Sequence, residues 1–167
     1  MKYTLAIIAV MVSNVFATIV NAQSDGVSWL FAQTSSVFKA DGSSLRLPIE
    51  REIFAFSDRP NRVSRYLNAQ EFVFLWGPGD GSFSEDPPNA VITWLEEGEA
   101  KEAEILLKFA SVSEMGRSIE YNFSWLNGDV LPSRGEGVSL FIDDAVDTVM
   151  INLLTVGICN FSDMGCK

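Results

Sequence analysis

Residues 119–128 read IEYNFSWLNG and carry the clearest secondary-structure signal in the chain. Large apolar residues alternate here with polar ones, and the apolar set is Ile119, Tyr121, Phe123 and Trp125. A period of two places the apolar side chains on one face of a β-strand and the polar side chains on the other. The Asn127-Gly128 pair that ends the stretch is typical of a tight turn. The stretch therefore predicts a strand with one buried face, followed by a turn.

Short segments of similar character occur along most of the chain. Their apolar content and the turn residues between them predict further strands at residues 29–33, 44–49, 52–56, 91–95, 103–109, 138–142 and 149–158. Residues 96–99 are a glycine-containing connection suited to a hairpin. One short helix is predicted over residues 69–76, because Asn68 and Glu71 fit a capping box and Gly77 follows the last turn. Together these elements predict a mainly β fold, an antiparallel β-sandwich of about eight strands with one short helix.

Residues 1–22 have the pattern of a signal peptide. Lys2 supplies a positive start, residues 3–20 form an almost unbroken apolar run, and small residues precede a cleavage site at Gln23. The alternative is an uncleaved membrane anchor, because the run approaches the roughly 20 residues of a spanning helix. We expect a secreted or periplasmic protein that spans no membrane after cleavage, with a single β-sandwich domain over residues 23–167.

The chain is acidic and contains two cysteines. It has 22 Asp and Glu against 12 Lys and Arg, and removal of Lys2 with the signal peptide leaves 11 basic residues and a net charge of −11. This charge argues against nucleic acid and anionic membrane surfaces as partners, because both require a basic surface. Cys159 and Cys166 are expected to form a disulfide, since an exported protein folds in an oxidising compartment.

The chain contains no histidine, which excludes sites built on imidazole. Ser-His-Asp and Cys-His catalysis, His-ligated zinc and His-held haem all fall in this class. The sequence also lacks the Gly-x-Ser-x-Gly motif of serine hydrolases. A pair of carboxylates can still hydrolyse a glycosidic bond without histidine.

The arginine-bearing segment at residues 56–65 is the first candidate site. Arginine presents a planar fork of donors that matches carboxylate, sulfate or phosphate. The ligand-binding candidates are Asp58, Arg59, Arg62, Trp76, Asp86 and Asn89. The alternative is a structural turn, in which an ion pair and hydrogen bonds of Asp58 and Arg59 fasten the loop to the sheet.

Acidic residues in two separate segments are further candidate sites, each for a metal ion. Calcium takes six to eight oxygen ligands, and recurring carboxylates can supply some of them. The metal-binding candidates are Asp80, Asp86, Asp143, Asp144 and Asp147. The spacing does not fit an EF-hand, and the alternative is that these are solvated loop residues. We therefore expect no cofactor and leave calcium open.

Several motifs resemble those of a group of small exported bacterial proteins of uncharacterised function. The motifs are Ser57-Asp58-Arg59-Pro60, Trp76-Gly77, Asp86-Pro87-Pro88-Asn89-Ala90 and Ser139-Leu140-Phe141-Ile142-Asp143. The resemblance covers most of the mature chain. It implies a bacterial origin and a location outside the cytoplasm, and it carries over no activity and no cofactor. The C-terminal pair of cysteines is not a feature of that group.

Two hypotheses about function follow from the sequence. The first is an exported, non-enzymatic binding or structural module that binds an unknown protein or glycan through loops at one end of the sandwich, where sheet proteins usually place binding residues. The second is a small histidine-free glycan hydrolase with two acids in one cleft about 5 to 9.5 Å apart.

Overall fold

The computed structural model describes residues 28–57, 59, 62–113 and 115–144, with the backbone alone for Asp144. These residues contain one α-helix, α1, at Ala69–Val73. The strands of these residues are β1 (Trp29–Asp41), β2 (Ser44–Pro48), β3 (Ile53–Ser57), β4 (Ser64–Leu67), β5 (Asn89–Glu96), β6 (Glu99–Val112), β7 (Ser118–Gly128) and β8 (Arg134–Asp144). The fold is therefore mainly β, as predicted. Within this part of the chain, no helix is long and apolar enough to cross a membrane.

The eight strands form one antiparallel sheet that closes into a barrel of six strands. Closure occurs at β1, which pairs with β8 along one edge. The other edge of β1 pairs with β3 from Trp29 to Ala32 and with β2 from Lys39 to Asp41. The strand order around the barrel is β1-β2-β7-β6-β5-β8 and back to β1, and the β3–β4 hairpin extends outward from the first half of β1.

The predicted β-sandwich is therefore wrong. β1 has 13 residues and is long enough for two different strands to share one of its edges. This arrangement joins the two ends of the sheet to each other, whereas a sandwich would divide the strands between two separate layers. The mainly β content and the antiparallel pairing of the described strands were predicted correctly.

Most of the predicted strands are found, with differences at particular places. The short strand β4 was not predicted, and the predicted strand at 149–158 lies outside the described residues. The turn predicted at Asn127-Gly128 is wrong, because β7 continues through both residues. Gly128 has a φ of +95°, and a Cβ there would lie 2.7 Å from the carbonyl oxygen of Glu102. This glycine thus allows the close approach of β7 to β6.

The predicted helix is present and begins at the predicted cap, but its α-helical part ends at Val73, before the predicted end at residue 76. The Asn68 side chain accepts hydrogen bonds of 3.0 Å from the backbone N–H groups of Gln70 and Glu71. The backbone N–H of Asn68 donates to Glu71 Oε2 at 2.9 Å, which completes the capping box. After α1 the chain makes one 3₁₀ turn, Phe74–Trp76, which ends at Gly77.

The barrel core is filled by inward-facing apolar side chains and by an aromatic plug. The plug consists of Phe72, Trp76 and Phe83, whose rings lie 4.6 to 5.4 Å apart in successive pairs. It packs on Phe31, with ring centroids 5.5 Å from Phe72 and 5.9 Å from Phe83. We call the end of the barrel where β1 and β5 begin and β8 ends the plugged end. The opposite end, where tight connections join β1 to β2 and β5 to β6, is the hairpin end.

One buried polar pair lies inside this apolar core. The hydroxyl of Tyr121 on β7 donates a hydrogen bond of 2.6 Å to Gln33 Oε1 on β1, across the barrel interior. Both side chains are buried. Burial raises the pKa of the Tyr121 hydroxyl well above its usual value, because the interior disfavours the charged phenolate.

Candidate functional site

Topology brings several predicted site residues to the plugged end. Arg59 and Arg62 lie in the loop after β3, Asn89 is the first residue of β5, and Asp143 lies near the end of β8. Asn89 and Asp143 are direct partners across the β5–β8 pair. Strands β3, β1, β8 and β5 are successive neighbours. Adjacent strands lie about 4.8 Å apart. Strand β3, which leads into the loop with Arg59 and Arg62, is therefore about 14 Å from β5, which begins at Asn89.

Other predicted residues do not join this group. Trp76 is 4% exposed and belongs to the aromatic plug, where its indole N–H donates to the carbonyl oxygen of Leu107 at 3.4 Å. Asp80 and Asp86 are exposed in the loop between the 3₁₀ turn and β5. Asp58, Asp147, Cys159 and Cys166 lie outside the described residues. For Asp144 the structure describes the backbone alone.

The loop after β3 is closed by hydrogen bonds between its two ends. The backbone N–H of Ser57 donates to the carbonyl oxygen of Val63 at 2.8 Å. The N–H of Val63 donates in return to the Ser57 hydroxyl at 2.9 Å. Arg62 lies inside this loop in the left-handed backbone region, with a φ of +48°. Arg59 and Arg62 are both exposed on a closed turn next to the sheet.

The outer surface of the sheet carries apolar residues that the sequence did not single out as a site. Cross-strand pairing places them in two neighbouring rows near the plugged end, which together we call the apolar band. The first row is Tyr66, Phe54, Ala32, Phe141 and Val91, and it ends at the polar residue Glu104. The second row is Phe56, Leu30 and Leu106, with the polar residues Asp143 and Asn89 between Leu30 and Leu106.

Strand alternation explains why these side chains face outward. Phe31, Ala55 and Ile142 are buried in the core. Successive side chains of a strand point to opposite faces, so the residues before and after these three point outward. Phe141 is 47% exposed and Tyr66 is 63% exposed. The next row toward the hairpin end is polar and consists of Thr34, Ser139, Thr93 and Glu102. The apolar band therefore has a defined boundary.

Aromatic rings cover the β3–β4 side of the band. Phe54 and Phe56 are stacked, with centroids 5.5 Å apart and an interplanar angle of 22°. Tyr66 on β4 lies against Phe54 at 5.2 Å with a tilt of 47°. These rings contact each other along the outside of the hairpin and extend the apolar surface beyond the barrel itself.

A groove of about 250 Å³ lies in the centre of the band. Its apolar lining includes Leu30, Val91, Leu126 and Phe141, and its polar lining is Asn89, Glu104 and Asp143. Leu126 reaches the groove at a register shift between β6 and β7, opposite Glu104 and Ile105. A bulge of this kind redirects a side chain to the other face of a strand. None of the residues that line the groove is Lys or Arg.

The groove thus unites two residues that the sequence analysis assigned to different sites. Asn89 was a ligand-binding candidate and Asp143 a metal-binding candidate. In the described part of the chain, no three His, Cys, Asp or Glu residues are grouped so as to hold a metal ion. The arrangement offers an apolar floor for van der Waals contact, two carboxylates as acceptors, and one amide that can both donate and accept.

Comparison with protein-family models, with curated proteins and with solved structures finds no match to this chain.

Proposed function

We propose that this protein is an exported, non-enzymatic module that binds a partner through the apolar band. The observation that carries the proposal is the continuous row of outward-facing apolar residues across β4, β3, β1, β8 and β5. Monomeric soluble proteins rarely expose large contiguous apolar patches, and patches with a polar rim mark interaction sites. Export to the periplasm or the medium is proposed from residues 1–22.

The polar rim supports binding over a purely structural role. Asn89, Glu104 and Asp143 surround an apolar floor, which is the arrangement of an interface with a hydrophobic core and a polar rim. Phe141 projects into the groove while remaining half exposed. Its apolar surface is covered only when a partner docks, so docking removes it from water.

The protein offers a matched pair of variants that test this proposal. Phe141 lies in the groove and is 47% exposed, whereas Phe109 lies on β6 outside the groove and is 48% exposed. Protein produced from the full sequence would be screened against a random peptide library and a glycan array. We expect Phe141→Ser to weaken binding of the selected probes at least tenfold and Phe109→Ser to leave it unchanged. Selected probes whose binding ignores Phe141→Ser would refute the proposed site.

The proposed function requires no metal, because the groove binds through apolar groups, an amide and two carboxylates. Thermal melts in EDTA and in 1 mM calcium should therefore coincide. A calcium site with a dissociation constant near 10 μM would add about 2.7 kcal/mol at that concentration, or several degrees. A shift of that size, reversed by EDTA and absent with magnesium, would show a calcium-dependent module instead.

A glycan hydrolase is the second candidate, and one observation favours it. Glu104 and Asp143 line the same groove, as a mechanism with a carboxylate pair requires. We prefer the binding module because both acids are exposed and the groove is smaller than the roughly 300 to 1,000 Å³ of sites that enclose small molecules. Hydrolysis of a panel of fluorogenic glycosides, abolished by both Glu104→Gln and Asp143→Asn, would reverse this preference.

A further inference from the structure

The charge of the groove is uniform in sign. Asp143 lies in the second row of the apolar band, between Leu30 and Asn89, and Glu104 ends the first row beside Val91. No Lys or Arg occurs among the residues of the two rows or in the groove lining. The whole chain has a formal charge of −10, so the acids of the groove are part of a generally negative protein.

The two carboxylates lie on opposite sides of the groove. Asp143 is on β8 and Glu104 is on β6, with β5 between them. On the intervening strand β5, Asp143 pairs with Asn89 and Glu104 pairs with Val91. The backbone positions of Asp143 and Glu104 are therefore two strands apart and offset by two residues along the strands. With about 4.8 Å between strands and about 3.4 Å per residue, the separation of the backbone positions is about 12 Å. The apolar floor lies between them.

We propose that the partner is a protein segment of basic and apolar character, in the order basic-x-apolar-x-basic. This inference rests on the proposed binding function and adds the class of partner. In an extended chain, side chains at alternate positions share one face and lie about 6.7 Å apart, so the two outer positions are about 13 Å apart. This span matches the separation of Asp143 and Glu104, while the central apolar side chain enters the groove.

Charge and volume favour this partner over a glycan. A neutral sugar would leave two carboxylates without an opposite charge, whereas Lys or Arg on the partner supplies one to each. A groove of about 250 Å³ suits one or two anchoring side chains, and such anchors carry much of the energy of protein interfaces. A second copy of this acidic chain would bring like charges together.

The test uses three short peptides and two-dimensional NMR of the isotopically labelled protein, made from the full sequence. The peptide cores are Lys-Ser-Leu-Ser-Lys, Glu-Ser-Leu-Ser-Glu and Lys-Ser-Ser-Ser-Lys. We expect only the first to shift the backbone signals of Asn89 and Val91 in a saturable way. Addition of salt should weaken its binding, because exposed charges are screened.

Variants of the protein assign the effect to the two carboxylates. The double variant Asp143→Asn/Glu104→Gln should lower affinity for the first peptide about tenfold, as expected for two exposed ion pairs. Glu96→Gln, an exposed acid at the end of β5, is the control and should leave affinity unchanged.

The remaining outcomes separate this inference from the proposed function. Equal binding of the acidic peptide, or binding that depends on Phe141 but not on the two acids, would overturn the inference and leave the binding module intact. The same holds if only glycans bind, or if the protein forms a dimer that Phe141→Ser dissociates. If binding of the first peptide and of all library probes ignores Phe141→Ser, the proposed function fails as well.

Discussion

The buried pair of Tyr121 and Gln33 gives the sharpest prediction about stability. Tyr121→Phe removes the hydroxyl that donates to Gln33 Oε1 at 2.6 Å. Gln33 Nε2 already has no hydrogen-bond partner in the part of the chain that the structure describes, so the variant leaves the whole buried amide unsatisfied. An unsatisfied buried polar group costs about 1 to 3 kcal/mol. At about 3 °C per kcal/mol for a domain of this size, the melting temperature should fall by about 3 to 9 °C.

A double-mutant cycle tests whether the two residues act as a pair. Gln33→Met keeps the shape of the side chain but leaves the Tyr121 hydroxyl without its acceptor, so it should also destabilise. The double variant removes both polar partners. Its loss of stability should therefore be smaller than the sum of the two single losses by about 0.5 to 3 kcal/mol. The assay is urea unfolding followed by tryptophan fluorescence. Strictly additive losses would refute the reasoning.

The raised pKa of Tyr121 adds a dependence on pH to the same cycle. Below pH about 10 the phenol is neutral in both the folded and the unfolded protein. Above that value the unfolded phenol ionises while burial keeps the folded one neutral, so its contribution to stability is lost as pH rises. The stability difference between wild type and Tyr121→Phe should therefore shrink from pH 9 to pH 11. A constant difference would show that the folded hydroxyl ionises as readily as the unfolded one.

Three further predictions concern local structure. Asn68→Ala removes the helix cap and should cost about 1 kcal/mol in thermal unfolding, and an unchanged melting temperature would contradict the cap. Glu50 accepts hydrogen bonds from the hydroxyl and from the backbone N–H of Ser36, and both bonds lower the pKa of the Glu50 carboxyl. Its contribution to stability is therefore present above pH about 4.5 and is lost as pH falls further. Glu50→Gln should flatten the melting temperature between pH 5 and pH 3, and a curve parallel to wild type would argue against this role. Gly128→Ala should destabilise the protein more than Gly42→Ala does. Both glycines have positive φ, but only at Gly128 would an added Cβ meet backbone atoms. Equal losses of stability in urea unfolding would contradict the close contact at Gly128.

Local features of this fold were predictable because their causes lie within a few residues. The capping box joins Asn68 to Glu71, and the helix begins where the sequence indicates. Alternation at Ile119, Tyr121 and Phe123 likewise matches their burial in the core. Trp125 breaks the pattern and is 39% exposed, because it lines a depression at the hairpin end instead of the closed interior.

Closure of the barrel was not predictable from these local patterns. It depends on β1 pairing with β3 along its first half and with β2 at its end, and both pairings use the same edge. Strand periodicity fixes which face of a strand is buried but does not fix which strand lies beside it. The strand β4 was missed for a different reason, since Leu67 is its one buried residue.

The site was only partly predictable for the same reason. Asn89 and Asp143 were selected separately, and only the β5–β8 pairing shows that they face each other. The sequence pattern predicts Phe54, Phe56 and Phe141 as strand residues and not as site residues. A signal was present in residues 53–56, where four consecutive residues are apolar and cannot all face the core.

The closed barrel gives these outward residues a significance that they would lack in an open sheet. The core lies inside the barrel and is completed by the aromatic plug, so folding does not require an apolar outer face at Phe141 or Tyr66. Substitutions of such exposed residues usually change stability by less than about 0.5 kcal/mol. Phe141→Ser should therefore unfold at nearly the same urea concentration as wild type while losing its binding partners. A variant that loses stability and binding together would instead make Phe141 part of the fold, and the apolar band would need no partner to explain it.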